Sequence, residues 1–221
     1  MHPLQRRFSP TWSIRRRICQ IARSNIERRR INALRFRPCN PPMFVELIAK
    51  ISESLLLANL ELVTAHVSER RRFEIWLQGE IGNALRAKNT KFEAEKSFPG
   101  SHERCDFWAN GEAGTEEWVE LKLCVTNYCK RYTESATTQP ITQEITAALR
   151  DFGKLRSVSN RYLRSLLLIA YPLPVNYRTH TPWQGHIERL SNGTSRAEEI
   201  YSTPVLIGHQ TLQVVGYIFS V

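Results

Sequence analysis

Residues 104–125 read RCDFWANGEAGTEEWVELKLCV, and the way this stretch pairs with itself decides the fold. Two short strand-like runs, Arg104–Asn110 and Glu116–Val125, flank the turn-rich segment Asn110-Gly111-Glu112-Ala113-Gly114-Thr115, the pattern of a β-hairpin. Side chains alternate along a strand, so Val119, Leu121 and Leu123 take one face while Trp118, Glu120 and Lys122 take the other. A turn centred on Ala113 sets Asp106 opposite Glu120, with Cβ atoms about 5 Å apart. Like charges so placed repel unless a cation lies between them. A divalent metal with oxygen ligands meets that need, with Lys122 alongside. The competing reading of the hairpin alone is a solvent-facing ion pair of Glu120 with Lys122.

Upstream, apolar residues recur at helical spacing from 44 to about 66, with Leu47, Ile48, Ile51, Leu55, Ala58 and Leu62 on one face. A second helix is expected over about 69–88, with Phe73, Trp76, Leu77, Ile81 and Ala84 as its apolar stripe. Glu80 lies within that stripe. A carboxylate there costs free energy unless a cation, a metal or hydrogen-bond donors meet it, whereas one that snorkels to water costs little. Glu74, about 100° round from Phe73, is placed to reach solvent. Residues 89–103 read as a loop or a short edge strand closed by Pro99-Gly100.

Downstream, residues 126–139 are polar loop, and Pro140 suits the first turn of a helix ending near Arg156. The run SLLLIAY at 165–171 has the near-continuous apolarity of a buried strand, parallel to the hairpin if reached through that helix. A helix from Thr181-Pro182 to Leu190 and two late strands, near 205–207 and 212–219, complete an α/β layered domain around a mixed sheet.

The 221 residues suffice for one domain with its own core, or one domain and an appendage. A composition 42% hydrophobic and 24% charged excludes disordered, collagen-like and coiled-coil chains. No apolar run reaches the roughly 18 residues of a membrane-spanning helix. Cys19, Cys39, Cys105, Cys124 and Cys129 form no CxxC pair or Cys/His ladder, which argues against a disulfide framework or structural zinc and fits a reducing, cytoplasmic setting. His2, His66, His102, His180, His186 and His209 show no metal-binding spacing either.

The net charge of +10 is confined to one end. Residues 1–42 hold eleven arginines against one acid, Glu27, while the rest of the chain carries twenty basic and twenty acidic side chains. An arginine-rich arm suits phosphate contact through counterion release. Ile14, Ile18, Ile21 and Ile26, near helical spacing, also suit an organelle-targeting segment or an anionic membrane surface. The abrupt change of composition at Met43, after Pro38, Pro41 and Pro42, suits a leader outside the native protein. The expected division is a basic arm at 1–42 and a folded domain at 43–221.

Asp106, a 13-residue gap, then Glu120-Leu121-Lys122, with a helical Glu80 before them, resembles the PD-(D/E)XK nuclease superfamily, the restriction-endonuclease-like fold. The phrases RCDFWANGE and EWVELKL carry the likeness, which covers roughly residues 69–171. Cys105 stands where the superfamily's name has proline, and the Gln-x-x-x-Tyr motif of RecB-like nucleases is not met, because Ala147 follows Gln143 four positions on. The resemblance implies an αβββαβ core whose mixed central sheet is flanked by helices. It also implies Mg²⁺ (or Mn²⁺) held by Asp106, Glu120 and the backbone carbonyl of Leu121, with Glu80 on a metal-bound water or a second ion. Lys122 would orient or deprotonate the attacking water.

Phosphodiester hydrolysis needs an activated water, a Lewis acid and cationic compensation, which two carboxylates, a third acid and a lysine on one sheet face supply. The expected activity is metal-dependent hydrolysis of phosphodiester bonds, DNA ahead of RNA. It is expected in the cytoplasm or, if the arm targets the chain, in an organelle. A nucleic-acid-binding or assembly module that keeps the fold without cutting stands beside it. Arg150 and Lys154, four apart on the helix after the hairpin, face either phosphate or plain solvent.

Overall fold

The hairpin strands sit within a six-stranded mixed sheet in the order β1-β2-β3-β4-β6-β5. The computed structural model describes residues 43–69, 71–111, 114–128 and 141–221; the basic arm, the turn centre Ala113, Cys129 and Pro140 lie outside the described residues. The element order is α1 (Phe44–Ala58), α2 (Leu60–Glu69), α3 (Glu74–Ala87), β1 (Glu93–Ser97), β2 (Arg104–Asn110), β3 (Glu116–Val125), α4 (Ile141–Ser157), β4 (Leu163–Pro174), α5 (Thr181–Ser191), β5 (Arg196–Ile207) and β6 (Gln210–Ser220). β3 and β4 pair in parallel, as expected of strands joined through a helix, and every other pair is antiparallel.

Alternation along β3 and β4 divides the core between the two faces of the sheet. Val119, Leu121 and Leu123, with Leu167, Ile169 and Tyr171, pack beneath α1, α2 and α3. On the other face Trp118, Cys124, Leu166, Leu168 and Ala170 meet α4 and α5. In α4 the stripe Ile145, Ala148, Phe152 and Leu155 is buried at helical spacing. Full burial of one such side chain contributes about 1.5–3 kcal/mol, enough to hold α4 over β3 and β4. Glu120 and Lys122 interrupt the apolar β3 face between Trp118 and Cys124, so the sheet leaves a polar gap under α4.

The hairpin register is the one centred on Ala113: Phe107 pairs with Val119, Trp108 with Trp118, Ala109 with Glu117 and Asn110 with Glu116. Three expectations are corrected. The single helix over 44–66 is two helices, broken at Asn59, whose side-chain amide and backbone N–H both donate to the Leu55 carbonyl. Such local bonding offers the backbone an alternative to continuing the helix. The second helix starts at Glu74 rather than 69; Phe73 just before it has φ −118° and ψ 23°, outside the helical region. β5 begins at Arg196, well before 205. Its charged start, Arg196-Ala197-Glu198-Glu199, hides a strand that lies at the sheet edge, where Pro204 is also tolerated.

Candidate active site

β2 and β3 stay paired only from Phe107/Val119 to Asn110/Glu116, although β3 continues to Val125 against β4. Beyond Val119 the two strands fork. Side-chain carboxylates take the N–H groups that the ladder leaves open: Asp106 Oδ2 accepts from Leu121 N–H at 2.6 Å, and Glu74 Oε2 accepts from Leu123 N–H at 3.0 Å. The N–H and C=O of one strand residue leave on the same edge, so the Leu121 carbonyl faces the fork as well. Glu74 was expected at solvent; as the first residue of α3 it turns toward β3 instead.

The outer side of β2 is irregular at the same level. The β1–β2 register passes from Ala94↔Phe107 to Lys96↔Cys105, and Glu95 between them holds φ +53°, a conformation costly for a side-chain-bearing residue. Glu95, Asp106 and Glu80 line one cleft of about 430 Å³ beside Trp76, Asn83 and Arg86.

Asp106 and Glu120 share a side-chain hydrogen bond. Glu120 is 5% exposed, and its Oε1 is buried with no hydrogen-bond partner. Burial, then the charge of Asp106, then that of Asp151, push the Glu120 pKa up to about 10. Burial also raises Asp106, to about 6; the charges of Glu74 and Glu95 add to it, while the bonds from Leu121 N–H and Glu120 pull it down. At neutral pH Glu120 therefore keeps its proton and donates it to an ionised Asp106. The sequence alternative, a solvent-facing Glu120–Lys122 pair, is overturned: Glu120 is buried against Asp106, and Lys122 turns to α4.

There Lys122 Nζ lies 3.7 Å from Asp151 Oδ2, and Lys154 Nζ lies 3.0 Å from Asp151 Oδ1. All three are largely buried, between 14% and 25% exposed. No family model, curated protein or solved structure matches this chain.

The donor set suits a hard divalent cation. Every candidate ligand is an oxygen, and the unpartnered Glu120 Oε1 is a lone pair that a cation would satisfy in place of a proton. Among the described residues no three Asp, Glu, His or Cys side chains converge on one point. A Mg²⁺ ion would thus take Asp106, Glu120 and the Leu121 carbonyl from the protein and the rest of its shell from water. Glu80 shares the cleft with Asp106 but is not gathered with the pair into a three-acid group.

Sequence reasoning missed Glu74, Glu95 and Asp151. Asp151 had a signal: it follows the buried Ala148 by three residues and precedes Lys154 by three, at the margin of an apolar stripe. Glu95 had none, since a left-handed conformation in a glutamate is not legible in composition. Cys105 and Cys124 are both buried, and burial raises both thiols well above their ordinary range. Cys105 Sγ donates to the carbonyls of Phe107 and Val119 at the root of the fork. Among the described residues no helix is long and apolar enough to cross a membrane.

Proposed function

We propose that the protein is a divalent-metal-dependent nuclease of the PD-(D/E)XK kind, hydrolysing phosphodiester bonds in DNA ahead of RNA. The observation that carries the reading is the buried Asp106–Glu120 carboxyl pair in the strand fork, with an unpartnered Glu120 oxygen and Lys122 two residues away. The element order α3-β1-β2-β3-α4-β4 supports it, since the helix bearing Glu80 precedes the hairpin that bears Asp106, Glu120 and Lys122. Mg²⁺ or Mn²⁺, held by Asp106, Glu120 and the Leu121 carbonyl, would supply Lewis acidity at a phosphate oxygen. With a cation bound, Glu120 would serve as a carboxylate, its proton released to water. Lys122 holds the attacking water through Nζ and offsets charge that grows on the phosphate in the transition state. Asp151 keeps that ammonium group near the acids, and Glu80 accepts a hydrogen bond from water in the cleft.

A non-cutting module that retains the fold is the second reading, favoured by the lack of a third converging acid among the described residues. Single-turnover assays on single- and double-stranded DNA and RNA, with and without Mg²⁺ or Mn²⁺, separate the two. Metal-dependent cleavage that Asp106→Asn abolishes supports the nuclease. If no form is cut with either metal, the nuclease reading fails.

A further inference from the structure

Next to the acid pair, a second opening of about 410 Å³ is lined by α4, Arg72 and Lys122 of β3. Arg72, Lys122 and Arg150 line it, with Glu144, Thr142 and Thr146. Three cations therefore face one carboxylate, and that carboxylate is already committed. Glu144 is 3% exposed and bonded to the Arg72 guanidinium, so a buried charge is met by its own counterion.

Lys122 and Arg150 have no such match. The acid nearest Lys122, Asp151, has a closer partner in Lys154. Arg150 is exposed and makes no ion pair among the described residues. Cations that outnumber the acids in a concave wall raise the local concentration of anions. A guanidinium fork also fits a phosphate in a way a carboxyl-free wall of lysines would not. Lys122 lines this pocket two residues after Glu120, and its neighbour Asp151 acts on Glu120 through its charge, so the cationic pocket and the acid pair are neighbours.

We infer that this pocket binds a backbone phosphate of the nucleic-acid strand adjacent to the phosphate that is cleaved, with Arg150 as its main contact. The inference rests on the nuclease reading and names how the same site grips its substrate. Arg150 turns the substrate backbone along α4 and sets its register at the acid pair, with no preference for base sequence.

The test uses the full chain and a short fluorescein-labelled single-stranded DNA, with anisotropy read in EDTA over a range of salt concentrations. Arg150→Gln is expected to weaken binding and to lower the slope of log affinity against log salt by about one. Lys50→Gln, an exposed cation on α1 across the sheet, should change neither. Arg150→Lys should recover most of the slope but only part of the affinity, because the charge returns without the fork. Arg150 makes no ion pair among the described residues, so an unchanged melting temperature shows that loss of binding is not loss of fold. If Arg150→Gln binds like the parent at every salt concentration, the pocket assignment is wrong, whether or not the parent cuts. If it weakens binding as expected while the parent never cuts with any metal, the pocket stands and the nuclease reading falls.

Discussion

Glu120 keeps a proton at neutral pH because burial and Asp106 make its charged form costly. In the unfolded chain both acids ionise near their ordinary values. Between those values and the raised folded ones, the folded chain binds more protons than the unfolded chain, so stability falls as pH rises. Above about pH 7 Asp106 is already past its value near 6, and Glu120, raised to about 10, continues the decline. The melting temperature of the metal-free protein is expected to drop between about pH 7 and 8, and Glu120→Gln should flatten that drop. Mg²⁺ should raise the parent's melting temperature by mass action and leave Glu120→Gln unmoved. A flat parent profile over that interval would count against a proton held on Glu120. Asp151 acts one step further out. Asp151→Asn should slow cleavage about 10- to 100-fold while the Mg²⁺-induced rise in melting temperature persists. If that rise vanishes too, Asp151 supports the metal ligands and not Lys122.

At the scale of elements, period and turn chemistry made some pieces legible and left others hidden. The hairpin was readable because strict alternation and an Asn-Gly signal agree on one register. β4 was readable because a central parallel strand must be apolar on both faces. The break at Asn59 was not, since the apolar pattern runs straight through it and a side-chain bond to Leu55 decides the matter. β5 was hidden by its charges, and the fork between β2 and β3 by the fact that no sequence pattern marks where a ladder stops. β5 and β6 also contain a close approach. Tyr201 pairs with Gly216, and a Cβ on Gly216 would lie 2.4 Å from Cε1 of the buried Tyr201 ring. The Tyr201 hydroxyl in turn accepts from Ser52 of α1 at 3.1 Å, so the ring cannot swing away cheaply. Gly216→Ala should cost about 1–3 kcal/mol in urea unfolding, in line with overpacked cores. Gly185→Ala, in α5 with nothing within 4 Å of the new Cβ, should instead stabilise by up to about 1 kcal/mol. Equal effects at the two sites would mean that Tyr201 does not pack over Gly216.

On the scale of the whole molecule, charge and structure divide the chain at the same place. The excess of arginine ends by residue 42, and residues 42–221 form a compact unit of their own. That unit carries its own fastening at the start. Glu117 Oε2 of β3 accepts from Phe44 N–H at 2.6 Å, and the Val45 N–H adds to it, so the first turn of α1 is capped from the sheet across 73 residues. Both donors in this cap, Phe44 and Val45, follow Met43. A chain beginning at Met43 is therefore expected to melt cooperatively near the temperature of the full chain, whereas Glu117→Ala in either chain orphans two buried donors and should cost about 1–3 kcal/mol. Removing the arm also takes the net charge from +10 to near zero. If the arm grips nucleic acid, most of the salt dependence of binding should go with it, while the increment due to Arg150 survives in the shortened chain. Circular dichroism melts and anisotropy on the two chains read both points. A molten product from Met43 onward would place the arm in the core, and an unchanged salt slope would show that the arm makes no phosphate contact.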